Sequence, residues 1–291
     1  MIRTIRCSKF IVFAMIVCFI SACKDTERQS YDSPPGYDFA HPYVIKLPFE
    51  LDEVSGIVYN ASDSSLFMQV DEKGSIYKLF PAHPTNILKW KIAAAQDFED
   101  IVLLDSTFYL LSSTGNITSA TILSKDSVDT REHVFPGDQV NEFEILYNDP
   151  YAKHLVLICK DCQDDKKKTT SGYAFDPVTE TFFSSVFSID VKQINKILGK
   201  KTGRFKPSAA SINPLTGSLY IVSATDKLLV IAGRDGAIKG AYKLDPKLFK
   251  QPEGLTFTPT GTLIISNEAA EVGMANILVF KINETAKSNE K

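Results

Sequence analysis

Glu99, Glu144 and Glu253 are the residues of this chain best placed by type and spacing to do chemistry. They sit at the heads of "DFEDIVLLDSTFYLLSST", "EFEILYNDPYAKHLVLICKD" and "PEGLTFTPTGTLIISNE". In each stretch a polar tip leads into an apolar run, a turn and a second apolar run. A fold that gathers these acids brings like charges together. Two unit charges about 4 Å apart interact by about 4 kcal/mol at an effective dielectric near 20. The cluster then needs a cation, protonation or solvent. Oxygen donors without nitrogen or sulfur suit a hard cation, and a wide, flexible ring of them suits Ca²⁺ better than Mg²⁺. The competing reading is structural: the acids accept backbone N–H bonds and tie neighbouring segments together.

The elements that must position these acids repeat. "EVSGIVYNASDSSLFMQVDE" and "KPSAASINPLTGSLYIVSATD" share the pattern, with Ser55 and Ser208 in the acids' column. The column Ser55, Glu99, Glu144, Ser208, Glu253 advances in steps of 44, 45, 64 and 45 residues. The long step holds "DDKKKTT", a charged loop, and "VKQINKILGK", a short helix. Two further runs rich in β-branched and aromatic residues follow each hairpin, bounded by Gly, Pro, Asn and Asp. Four strands at such a period predict an all-β fold, a β-propeller of four-stranded antiparallel blades. Five copies predict five blades; six is the alternative if the long step hides a degenerate one. The last copy lacks a fourth strand. "YVIKLPFEL", Tyr43 to Leu51, can supply it by pairing outside Asn276 to Ile282 and closing the ring. Closure would remove an exposed sheet edge. In a blade, the residue opening strand one and the residue closing strand two share a rim. Glu99, Glu144 and Glu253 are thereby predicted at one mouth of the central channel, with Asp71, Asp161, Asn267 and Glu268 close behind.

The N-terminus predicts export. Arg3, Arg6 and Lys9 precede an apolar run from Phe10 to Ala22, with the size and flanks of a secretory signal. "FISAC" resembles a bacterial lipobox, which implies cleavage before Cys23 and lipidation of its thiol; an ordinary signal with a chance cysteine is the alternative. The domain reading is a leader at 1–22, a flexible tether at 23–42, the propeller at 43–283 and a disordered tail at 284–291. The expected place is the cell envelope, lipid-anchored to the cell membrane or outer membrane. Net charge is −3, and removing the three leader cations leaves −6. That balance argues against nucleic acid, which demands a basic face. Cys159 and Cys162, in "ICKDC", predict a local disulfide in an exported chain. The four histidines show no ligand spacing.

"EVSGIVYN", "DFEDI", "EFEILYN", "KPSAASINPLTGSLYIVS" and "QPEGLTFTPTGTLIISNE" resemble the SdiA-regulated domain family of bacterial exported and lipid-anchored proteins. The resemblance spans roughly Tyr43 to Ile282. It implies a five-bladed propeller with a calcium site, distantly similar to NHL-repeat propellers, some of which are metal-dependent hydrolases or lactonases. Carried over by motif, the acids are Glu99, Glu144 and Glu253, while Ser55 and Ser208 interrupt the ring. Two functions follow as expectations. One is a lipid-anchored, calcium-binding propeller that takes a protein or small-molecule partner. The other is a calcium-dependent hydrolase of an ester, lactone or phosphoester at the same mouth. Hydrolysis needs a base with a tuned pKa. The sequence shows no GxSxG, no HExxH and no histidine beside the acidic motifs.

Overall fold

The computed structural model describes residues 31–283 apart from 72, 94–96, 138–140, 166–167, 200–202 and 270–272. The leader, Cys23 and the tail at 284–291 lie outside the described residues. The chain enters the sheets at β1 (Tyr43–Lys46). Blade one is β2 (Val54–Asn60), β3 (Ser65–Val70), β4 (Ser75–Phe80) and β5 (His83–Lys91). Blade two is β6 (Phe98–Leu104), β7 (Thr107–Ser112), β8 (Ile117–Ser124) and β9 (Ser127–His133). Blade three is β10 (Asn141–Asp149), β11 (His154–Cys162), β12 (Thr169–Asp176) and β13 (Thr181–Asp190). Helix α1 (Val191–Leu198) then leads to blade four: β14 (Ala209–Ile212), β15 (Leu219–Ser223), β16 (Leu228–Ala232) and β17 (Ile238–Lys243). Blade five is β18 (Pro252–Phe257), β19 (Leu263–Asn267) and β20 (Asn276–Phe280), completed on the outside by β1.

The five four-stranded sheets form a ring. The innermost strands touch in the order β2, β6, β10, β14, β18 and back to β2. The fold is therefore a five-bladed β-propeller, and the long third step of the repeat adds a helix rather than a sixth blade. The closing pair runs antiparallel with Tyr43 opposite Val279 and Lys46 opposite Asn276. Leu47 extends it by donating its N–H to the Ala275 carbonyl at 2.9 Å.

Side-chain period explains which strands lie where. Middle strands such as β3 (SLFMQV) and β16 (LLVIA) are buried on both faces. Continuous apolar runs suit a strand covered on both sides. Outer strands such as β9 (SVDTREH) are mostly exposed and polar. The core is split into five clusters, each between two neighbouring blades. Helix α1 belongs to the cluster between blades three and four, where Val191 and Ile194 are buried. Asp190 caps its start by accepting the Lys192 N–H, and Gly199 ends it in the left-handed region at φ 64°.

The stretch read as a flexible tether is packed where it reaches the ring. Tyr37 and Phe39 join the cluster between blades four and five. Phe39 lies 4.5 Å from the Phe280 ring and 5.3 Å from Phe249. Burying such a side chain contributes about 1.5–3 kcal/mol, enough to dock a short polar segment that carries two of them.

Candidate functional site: the acid-lined mouth

The acid column is a column of β-bulges. In blade two, Phe98 pairs with Ser112 and Asp100 with Leu111, so Glu99 has no partner. In blade three, Phe143 pairs with Cys159 and Ile145 with Ile158, which leaves Glu144 out. In blade five, Pro252 pairs with Asn267 and Gly254 with Ser266, which leaves Glu253 out. Blade one breaks its register between Val54 and Ile57, around Ser55. An extra residue in one strand re-aims its side chain and bends the strand. The bulges thus turn the column away from the sheet faces at the start of each innermost strand. Ser208 in blade four stands just before β14, with its N–H on the Val222 carbonyl at 2.8 Å.

Glycine lets the ring draw together at this end. A Cβ on Gly56 would lie 2.5 Å from Asp100 Oδ1 and 2.7 Å from the Ile101 nitrogen. A Cβ on Gly254 would lie 2.8 Å from the Ser55 carbonyl oxygen. Both positions are close backbone approaches between adjacent innermost strands.

Glu144 is buried, Glu99 and Glu253 are partly buried, and the charge of Glu144 acts on both of the others. Burial first, then Glu144, Asp97 and Asp71, push the Glu99 carboxyl up to about 9. Burial, then Glu144 and Glu268, push Glu253 up to about 8. Burial also raises Glu144, although its bond to Lys160 opposes the rise. At neutral pH Glu99 and Glu253 are therefore mostly protonated when no further cation is near. Glu144 acts on both other acids of the column, with Asp71 acting on Glu99 and Glu268 on Glu253.

A protein cation sits among them. Lys160 bonds Glu144 closely and pairs with Glu142 at 3.3 Å. Burial alone would lower the ammonium's pKa; Glu144 and Glu142 outweigh it and hold Lys160 charged. Lys160 occupies a second bulge of the same hairpin, between the pairs Glu142–Asp161 and Phe143–Cys159. The one weak signal for it in the sequence is a lysine amid the strand-closing "ICKDC". Two further cations flank the mouth. Arg204 pairs closely with Asp161, and Lys227 donates to the Lys250 carbonyl.

Ser208 of the column and Asn267, predicted close behind it, are structural. Ser208 Oγ donates to the Pro252 carbonyl at 2.6 Å, tying blade four to blade five, and accepts the Ala224 N–H at 3.1 Å. Asn267 is fully buried and donates to the Leu248 carbonyl at 3.1 Å. Asp100, beside Glu99, was not singled out by sequence. It is buried, accepts the Leu146 N–H at 2.9 Å across the blade boundary, and has its pKa raised by burial. The structural reading of carboxylates as links between blades thus holds for Asp100.

The donor set suits a hard cation in chemistry but forms no closed cage. Among the described residues, the group of acid, cysteine or histidine ligand atoms that lie within 4.8 Å of one another is Cys159, Cys162 and Asp165. Those cysteines are disulfide-bonded, with Cα atoms 5.7 Å apart. Glu99, Glu144 and Glu253 would therefore share a cation with water or backbone carbonyls. Ca²⁺ accepts such mixed shells of six to eight oxygens.

No histidine joins the mouth. His41 contacts Asp38, His83 lies on outer β5, His133 contacts Ser119, and His154 lies tilted against the Phe183 ring. Farther along the channel, a cavity of about 320 Å³ is walled by all five innermost strands, with Tyr59, Asp100, Tyr147 and Thr256 among its polar groups.

No protein-family model matches the chain, and no curated protein sequence does. Solved structures share its architecture. A glutaminyl cyclase of Myxococcus xanthus superposes with a TM-score of 0.55 at 11% identity, covering 84% of this chain and 96% of its own. The PQQ-bound aldose sugar dehydrogenase of Streptomyces coelicolor gives 0.54 at 12% identity, covering 86% and 100%. A luciferin-regenerating enzyme gives 0.51 at 12% identity, covering 83% and 95%. At such identities the likeness is one of fold, and it agrees with the propeller that the strands themselves build.

Proposed function

We propose that this chain is an exported, lipid-anchored binding propeller of the SdiA-regulated kind, whose acid-lined mouth takes Ca²⁺ as a structural ion or as a bridge to a partner. The observation that carries it is the electrostatics of the mouth. Three carboxyls converge on bulges, yet Lys160 serves Glu144 and Glu142 and leaves Glu99 and Glu253 raised to about 9 and about 8. A divalent cation would supply the charge that Lys160 does not. Glu99, Glu144 and Glu253 would hold it, with Ser55 and Ser208 too weakly basic to add charge. The hydrolase alternative would draw its base from these same carboxyls, with Glu253 raised to about 8, since no histidine stands among them.

Calcium titration by calorimetry tests this reading. Wild type should take up one Ca²⁺, and the bound ion should raise the melting temperature. At a hundredfold excess over Kd the stabilisation is about 2.7 kcal/mol. Glu99→Gln with Glu144→Gln should abolish the response. A wild type that gives no binding heat and no thermal shift with Ca²⁺ would refute the metal reading and with it the bridging role.

A further inference from the structure

A second cavity lies on the outer side of the ring, between blades four and five. Its volume is about 790 Å³. Small-molecule sites typically enclose about 300–1,000 Å³, mostly apolar with a few placed polar groups. The walls are Tyr37, Tyr220, Ile231, Tyr242 and Ile282, and the segment Pro35–Tyr37 roofs one side. That roof is pinned. The Tyr37 hydroxyl donates to the Gly261 carbonyl at 2.7 Å and accepts from Asn213 Nδ2 at 3.0 Å. Gly240 keeps the wall open, because a Cβ there would meet the Tyr242 ring at 2.9 Å.

The charge of the lining is one-sided. Lys239 is its cation, and no carboxylate is among the described residues that line it. Among the described residues its ammonium donates to Ser218 Oγ at 3.0 Å at the rim. An apolar chamber with aromatic walls and a single cation at its lip fits a molecule of matching polarity. The sequence that follows the wall residue Ile282, "NETAKSNEK", is too polar to fill an apolar chamber.

We infer that this cavity is a binding site for an aromatic carboxylate, its ring against the wall of Tyr37, Tyr220 and Tyr242 and its carboxylate on Lys239 and Ser218. Rings prefer edge or offset contacts with other rings, and the Tyr37–Tyr220 pair is already edge-on, with centroids 6.2 Å apart at 80°. A charge-assisted bond from the lysine then orients the acid. The inference is independent of the calcium mouth.

Naphthylacetate is a suitable probe, with calorimetry on the full mature chain. Wild type should bind it saturably at one site. Lys239→Gln should weaken binding by roughly five- to tenfold, the effect of about 1–1.4 kcal/mol. The neutral naphthylacetamide should lose a similar factor on wild type and little on Lys239→Gln. Thr216→Trp, at an exposed rim position, should block the entrance without disturbing the fold, as judged by an unchanged melting temperature. Absence of saturable binding, binding that survives Thr216→Trp, or equal affinity for acid and amide would each overturn the inference. Tighter binding of decanoate than of naphthylacetate would overturn the aromatic assignment.

Discussion

Substituting Glu253 with Gln keeps the shape of the side chain and removes its titration, so it exposes what the mouth does to stability. Burial and the neighbouring acids raise the folded carboxyl to about 8, against an ordinary value of 4.5. The folded protein therefore binds a proton that the unfolded chain has already released. Stability from this group is fully present below the unfolded pKa and is lost as pH rises towards about 8. Full linkage would cost up to about 1.4 kcal/mol per pH unit, or about 4 kcal/mol between pH of about 5 and about 8. Water at the mouth screens part of this, and about half, near 2 kcal/mol, is expected to survive. At about 2–4 °C per kcal/mol for a chain of this size, the melting temperature of wild type in chelator should fall by about 4–8 °C over that range through Glu253 alone. Glu99, raised to about 9, adds to the fall. Glu253→Gln should match wild type near pH 5 and be about 2 kcal/mol more stable near pH 8. The assay is thermal unfolding at a series of pH values with chelator present. A wild-type profile that is flat or rises with pH, or a Gln variant destabilised equally at every pH, would refute the reasoning. The second result would make Glu253 a link between blades instead.

Two further outcomes are expected. Removing residues up to Lys46 strips β1 from β20 and uncovers Ile45; the product should aggregate or melt far below wild type, and an equally stable monomer in gel filtration and calorimetry would show that ring closure does not matter. Cys23→Ser should lose acyl labelling and membrane partitioning in the bacterial host, whereas labelling equal to wild type would dismiss the lipid anchor.

Much of the fold follows from local pattern. The regular steps of the column, the paired apolar runs and the spare N-terminal strand point to the ring, because a blade is a local hairpin meander repeated along the chain. The helix in the long step is equally local: Asp190 caps it and Gly199 ends it. What the spacing could not show is how the acids are aimed and answered. Glu99, Glu144 and Glu253 turn into the mouth because single-residue register slips place them on bulges, and such slips depend on how twisted strands pack, not on residue type. Lys160 meets Glu144 through a second slip in the same hairpin. Nothing local marks Asp100, whose partner, the Leu146 N–H of blade three, comes from 46 positions away. Tyr37 and Phe39 sat in a segment that read as tether, and only the gap between blades four and five gave them a core to enter. The cavity beside them has the same origin. Its walls come from residues far apart in the chain, so the shape of the gap, and the lysine bonded to Ser218 at its lip, exist only once the ring has closed.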